Sequence, residues 1–162
     1  MIDIEIRGSS RKDLETILDL LEKNKLRTED VSELVSNFSL AIYGGEVVGC
    51  IGHEVLENGI ISIRSLVVAE GYRRNGIGTK LIKTKIEFAK KNFREIYAGP
   101  LKTNLEGRRL LEKSDFHRMG KEERYRIFSR CNSCKEDYNK MTRYCQENST
   151  DGCPILTYRL LI

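Results

Sequence analysis

Apolar and polar residues change period several times along the chain, and each change marks a new element. Ile2, Ile4 and Ile6 alternate with charged residues in "IDIEIR", the period of a half-buried strand. In "RKDLETILDLLEKN", Leu14, Ile17, Leu18 and Leu21 fall at helical spacing, and Ser10 with Asp13 has the pattern of a capping box. "EDVSELVSNF" predicts a second, shorter helix with Val31, Leu34, Val35 and Phe38 on one face. "LAIY", the turn "GGE" and "VVGCIGHEVL" read as a hairpin, and "ENG" turns the chain into "IISIRSLVV", apolar enough for a central strand. "GIGTKLIKTKIEFAKKN" predicts an amphipathic helix, with Ile77, Leu81, Ile82, Ile86 and Phe88–Ala89 inward and the lysines mostly outward. "EIYAG" gives a strand closed by Pro100, and "TNLEGRRLLEKSDF" a helix opened by Thr103 or Asn104. "ERYRIFSR" and "PILTYRLLI" predict two last strands, separated by far more chain than a hairpin needs. The order is β-α-α-β-β-β-α-β-α-β-β, without repeat or linker. It predicts one α/β domain over residues 1–162, with a Cys-rich insertion at 130–153.

Composition narrows the class. Of 162 residues, 40% are hydrophobic and 32% charged, as in a globular domain with a real core. No stretch approaches the roughly 20 apolar residues that cross a bilayer, and "MIDIEIRGSSRKD" lacks the pattern of a secretory signal. A cytoplasmic protein without a membrane partner is expected. The net charge of +4 comes from basic residues spread along the chain, which argues against nucleic acid and suits an anionic small ligand. Four of the five cysteines lie after residue 130, and without an export signal a metal site or reduced thiols are expected over disulfides.

The densest chemistry lies in "GYRRNGIG", residues 71–78, between the central strand and the amphipathic helix. Strand, glycine-rich turn and helix together expose free N–H groups to an anion at a helix N-terminus. Gly76 and Gly78 allow an oxygen to approach the backbone, and Arg73 and Arg74 add charge suited to a diphosphate. Two nucleotide motifs fail. Gly71 and Gly76 are followed by Ile77 where a P-loop needs lysine, and Gly76 and Gly78 are followed by Leu81 where a dinucleotide fingerprint needs glycine.

What fits is R-x-x-G-x-G, with Arg73, Gly76 and Gly78, entered from "SLVV". This resembles the acetyl-CoA motif of the GNAT superfamily of N-acetyltransferases, and the element order is that family's order. Asn104 and "LLEKSDF" are similar to its later N-x-x-(A/G)-x-x-L-Y-E-K-x-G-F segment. "GHEVLENGIISIRSLVV" and Cys153–Pro154 are similar to its amino-acid-directed branch, which includes N-acetylglutamate synthase-like and phosphinothricin/arsinothricin N-acetyltransferases. The resemblance implies a mixed, mostly antiparallel sheet with flanking helices, splayed at the acetyl-CoA strand. It also implies acetyl-CoA as cosubstrate. Its pyrophosphate would lie on Arg73, Arg74, Asn75, Gly76, Gly78 and Thr79, its pantetheine arm along Leu66, Val67 and Val68, with Asn104 as a further cofactor contact.

Transfer from a thioester to an amine needs alignment, stabilisation of a developing oxyanion, a base, and an acid for the thiolate. The resemblance assigns alignment and the oxyanion to backbone N–H groups around Leu66 to Val68. Glu54, on the neighbouring strand, is the candidate general base, acting through water; a solvent-facing strand carboxylate is the alternative. His53 points to the opposite face, so the two do not serve together. Arg64 stands in an apolar strand and should meet an anion, either Glu54, another acidic residue or a substrate carboxylate. Leu111 occupies the family's usual tyrosine position, and Asp115 its glycine. That leaves Tyr97 or water to protonate the thiolate, or CoA to leave as the thiolate.

Cys131, Cys134, Cys145 and Cys153 form a candidate structural zinc set, with Cys131-x2-Cys134 at good ligand spacing and reduced thiols as the alternative. Cys50 reads as a small buried residue. The reading is an acetyl-CoA-dependent N-acetyltransferase acting on a small-molecule amine, an amino acid or analogue. A homodimer is a compatible assembly. The competing readings are a protein or peptide N-acetyltransferase and a non-catalytic CoA-binding or zinc-knuckle module, which would bind nucleic acid in a salt-dependent way.

Overall fold

The structure is a computed structural model and describes residues 2–56, 59–120 and 156–162. Two units divide the chain, one of residues 1–96 with 161–162 and one of 97–160.

In the first unit the predicted alternation becomes strand β1 (Glu5–Gly8), paired antiparallel with β2 (Ser39–Tyr43). A turn at Gly44–Gly45 leads to β3 (Glu46–Leu56), which pairs antiparallel with both β2 and β4 (Ile60–Val68). Arg94 N–H donates to the Gly59 carbonyl at 3.0 Å, and β5 (Glu95–Ala98) begins beside β4. "IISIRSLVV" is therefore a central strand, as its apolar run predicts.

Helix α1 (Leu14–Lys23) follows a 3-10 turn at Arg11–Asp13, and α2 (Val31–Leu34) runs into a second one at Val35–Asn37. The Asp13 carboxylate accepts from the Ser10 N–H at 2.8 Å, the acidic half of the capping box, and from Arg7 at 2.7 Å. Ile17, Leu20 and Leu21 of α1 bury against Val31, Val35 and Phe38, with Leu40, Cys50 and Val67 from the sheet beneath. Close packing is visible at Gly52, where an added Cβ would lie 2.7 Å from the Phe38 ring.

Helix α3 (Ile77–Ala89) lies on the other side of the same strands. Ile77, Leu81, Ile82 and Ala89 are buried as expected, but Phe88 is exposed and Lys85, predicted with the outer lysines, is buried. Lys85 Nζ donates to the Asn37 carbonyl at 2.7 Å and lies 3.1 Å from His53 Nδ1. A lysine survives in that position because both apolar neighbours and polar partners are supplied.

In the second unit α4 (Leu105–Glu112) is capped by Asn104, whose Oδ1 accepts from Gly107 N–H at 2.8 Å. Strand β6 (His117–Arg118) pairs antiparallel with β7 (Tyr158–Leu161), and Tyr97, Leu111, Phe116, Met119 and Tyr158 are buried. Through α4 the element order is the predicted one, and β7 falls in the predicted "PILTYRLLI"; β6, at His117–Arg118, is a strand the sequence pattern did not predict. The strand expected in "ERYRIFSR" and the Cys-rich insertion lie outside the described residues. No described helix is long and apolar enough to cross a membrane.

Candidate active site

The site begins where β3 and β4 fall out of step. Gly52 is opposite Arg64, and Cys50 is opposite Val67, so Ile51 alone faces both Ser65 and Leu66. That is a β-bulge, and Ser65 takes the left-handed backbone, φ 55°, that accommodates it. A bulge leaves backbone groups outside the ladder, here in the middle of a central strand and on the stretch expected to hold an acyl group. The Cys50 thiol donates to the Ser65 carbonyl at 3.7 Å, and burial pushes that thiol up to about 12, so Cys50 stays a protonated core residue.

Three residues beyond the bulge, Val68 ends β4, and the chain passes through a short 3-10 turn (Glu70–Tyr72) into the glycine loop. Arg73 Nε donates to the Val68 carbonyl at 3.0 Å, and Asn75 Nδ2 to the Tyr72 and Arg73 carbonyls. Arg74 and Gly76 both have positive φ, 65° and 76°. Gly76 is the N-cap of α3, so the N–H groups of Ile77, Gly78 and Thr79 have no intrahelical acceptor. A Cβ at Gly76 would meet no protein atom, so its surroundings are open to a ligand and glycine answers a backbone need. The residues fit a diphosphate through backbone N–H groups, the helix N-terminus and the adjacent arginines.

On the α1–α2 side of the bulge, Arg64 is nearly buried, its side chain only 15% exposed. One guanidinium nitrogen donates to the Glu29 carbonyl at 3.0 Å, and another lies 3.9 Å from Glu54, whose side chain is 49% exposed. Arg27 is nearby but is matched by Asp30 at 3.0 Å and Glu29 at 3.4 Å. Burial, then the like charge of Arg27, lowers the Arg64 pKa, and Glu54, Asp30 and Glu29 only partly oppose this. Arg64 therefore meets Glu54, as expected, but at a long distance. Its charge is only partly matched.

His53 faces the opposite side, as the strand alternation requires. It is buried against Lys85, and burial with the Lys85 charge pushes it down to about 4. It is a neutral packing residue. Leu66, Val67, Val68, Arg73, Arg74, Asn75, Gly76, Gly78 and Thr79 lie on the continuous run from bulge to helix. Asn104 lies in the second unit, where it caps α4. Tyr97 is fully buried. Cys131, Cys134, Cys145 and Cys153 lie outside the described residues, among which no cluster of metal-binding side chains occurs.

Sequence reading missed Ser65 and Glu29. Ser65 acquires its importance from an unusual φ, and Glu29 acts through its backbone, which no side-chain type reports.

The acetyltransferase (GNAT) family model matches residues 5–116. The chain belongs to that family. It is an N-acetyltransferase, and the bulged strand, glycine loop and α3 all fall within the matched stretch. A GNAT-family acetyltransferase from Staphylococcus aureus Mu50 is 21% identical, with a TM-score of 0.72 over 97% of this chain and 98% of that one. N-acetylglutamate synthase from Neisseria gonorrhoeae, solved with coenzyme A and L-arginine, is 17% identical, with a TM-score of 0.65 over 99% of this chain but 34% of that one. The ribosomal-protein-S18-alanine N-acetyltransferase from Escherichia coli is 13% identical, with a TM-score of 0.72 over 99% of this chain and 94% of that one. At these identities the likeness carries the fold alone. No curated protein sequence matches significantly.

Proposed function

We propose that this GNAT protein transfers the acetyl group of acetyl-CoA to the amine of a small molecule, an amino acid or an analogue of one. The observation that carries the acceptor class is Arg64, a largely buried side chain whose anionic partner, Glu54, is 3.9 Å away. A substrate carboxylate would complete its pairing and place the amine beside the bulge. The pyrophosphate is read onto residues 73–79, with the pantetheine arm along Leu66–Val68. N-acetylglutamate synthase, solved with coenzyme A and L-arginine, supports this reading by its shared fold.

In this reading the neutral amine attacks the thioester carbonyl, and backbone N–H groups at the bulge receive the charge developing on oxygen. Glu54 takes the amine proton through water. Its partial exposure suits a water-mediated relay. The C–S bond breaks, and the thiolate leaves to be protonated by solvent, since Leu111 is apolar and Tyr97 is fully buried. One domain acting in the cytoplasm is the proposed setting.

The test is a CoA-release assay across free amino acids, phosphinothricin-type analogues, polyamines and peptides. Turnover with an amino acid or analogue is expected. Turnover with peptides alone would replace the acceptor class, and tight CoA binding without turnover on any acceptor would remove the catalytic reading.

A further inference from the structure

Arg73 opens the glycine motif, yet one edge of its guanidinium is already spent inside the protein. Nε donates to the Val68 carbonyl at 3.0 Å and Nη2 to Asn24 Oδ1 at 2.7 Å. Those two nitrogens share an edge of the planar group, so Arg73 acts as a strut between the end of β4 and the end of α1. Asn24 is the C-cap of α1, and its Nδ2 donates to the Leu20 carbonyl at 2.8 Å. Its amide is therefore held at both ends.

The chain turns immediately after Asn24. Lys25 has φ 55°, and Leu26 N–H donates to the Leu21 carbonyl at 2.9 Å. The connection to α2 closes at Asp30, φ 65°, next to Glu29, whose carbonyl accepts from Arg64. Two arginines thus hold the α1–α2 connection. Arg73 holds its start from the glycine loop, and Arg64 holds its end from the strand that carries the bulge.

We propose that Asn24 is a positioning residue: through Arg73, it links occupancy of the pyrophosphate loop to the placement of the α1–α2 connection beside Arg64. This rests on the reading of residues 73–79 as the pyrophosphate loop. An anion held at the α3 N-terminus restricts the loop backbone from which Arg73 projects. The Arg73–Asn24 bond is then more fully populated, and the connection is ordered before the amine arrives. The acceptor side gains from a bound cofactor without touching it. Plain helix capping predicts something different: loss of the Leu20 bond would lower stability whether or not CoA is present.

The test uses CoA as the probe, with backbone amide hydrogen exchange at Lys25, Leu26 and Val31 and CoA affinity by calorimetry. Asn24→Asp keeps an oxygen for Arg73 and loses the donor to Leu20, whereas Asn24→Ala loses both. In the unsubstituted protein, saturating CoA should slow exchange at these amides by roughly threefold or more, the size of one partly exposed hydrogen bond. Asn24→Asp should keep that slowing. Asn24→Ala should lose it, with CoA affinity falling by no more than roughly that same factor, as reciprocal linkage requires. Slowing that persists in Asn24→Ala, or disappears equally in Asn24→Asp, overturns the link. A large loss of CoA affinity in Asn24→Ala overturns it too, by moving Asn24 into the cofactor site. CoA binding without slowing in the unsubstituted protein removes the link alone, whereas failure to bind CoA removes the pyrophosphate reading beneath it.

Discussion

His53 and Glu54 are chain neighbours with opposite surroundings, because successive strand side chains point to opposite faces. His53 is sealed under α3 against Lys85, and Glu54 opens on the side of Arg64 and the α1–α2 connection. A base acting through water needs exposure, and of the two only Glu54 is exposed, its side chain by 49%. Glu54→Gln keeps the shape of the side chain and removes its basicity. It should lower kcat by roughly 10²-fold, the usual contribution of a positioned base, and alter the pH–rate profile. An unchanged profile measured from pH-resolved CoA release would take Glu54 out of the mechanism. Arg64 carries a separate expectation, since losing it should raise the acceptor KM more than it lowers kcat.

At the scale of elements, β4 and α3 divide the work. The strand supplies a bulge in its middle, set by its pairing with β3, and the helix supplies an open N-terminus a few residues on, set by the backbone at Gly76. Gly76 has φ 76°, where a Cβ is strained although no protein atom would touch it. Gly76→Ala should therefore cost about 1 kcal/mol of stability in denaturant unfolding. If a diphosphate approaches this backbone, CoA affinity should fall by roughly tenfold or more, beyond what strain alone predicts. A stability loss with CoA affinity unchanged would move the pyrophosphate elsewhere.

These elements also show what the chain's letters reveal. A nearly continuous apolar run exposes "IISIRSLVV" as a central strand, and a period of 3.6 exposes "GIGTKLIKTKIEFAKKN" as a helix, because burial is written directly into residue type. The glycine spacing separates this loop from the two nucleotide motifs because each motif requires a particular residue at a fixed position, where Ile77 and Leu81 stand here. The bulge is not legible, because Ser65 reaches φ 55° through tertiary pairing and not through a residue that prefers it. Lys85 is misread as an outer lysine because its partners, Asn37 and His53, are 48 and 32 residues away. Arg73 reads as a phosphate ligand, but the edge that holds Asn24 depends on where α1 ends.

For the whole molecule, buried ionisable groups make stability a directional function of pH. His53 is held near 4 against an ordinary 6.5, first by burial and then by the Lys85 charge. Between those values the unfolded chain takes up a proton that the fold refuses, so stability should fall as pH drops through about 6.5 toward about 4. Asp13, held well below the carboxylate range by Arg7, adds stability above its ordinary value of 3.8 that is lost in stronger acid. Lys85 is lowered from 10.5 to about 8 by burial, which gives the opposite end of the range a less ordinary behaviour. Below about 8 the fold carries a charged, buried ammonium; above it the folded lysine releases its proton while the unfolded one keeps it. Stability should then rise as pH increases from 8. Cys50 opposes this above its ordinary 9.0, because the unfolded thiol ionises while the buried one, held near 12, does not. The decisive window is therefore pH 8 to 9, between the lysine's folded value and the cysteine's unfolded one. Urea unfolding across that window should show stability climbing in the unsubstituted protein and a flatter response in Lys85→Met. The methionine variant will start from lower stability, since the Asn37 carbonyl loses its donor, but the slope carries the test. Equal slopes in the two proteins would show that Lys85 does not titrate in the folded state near 8.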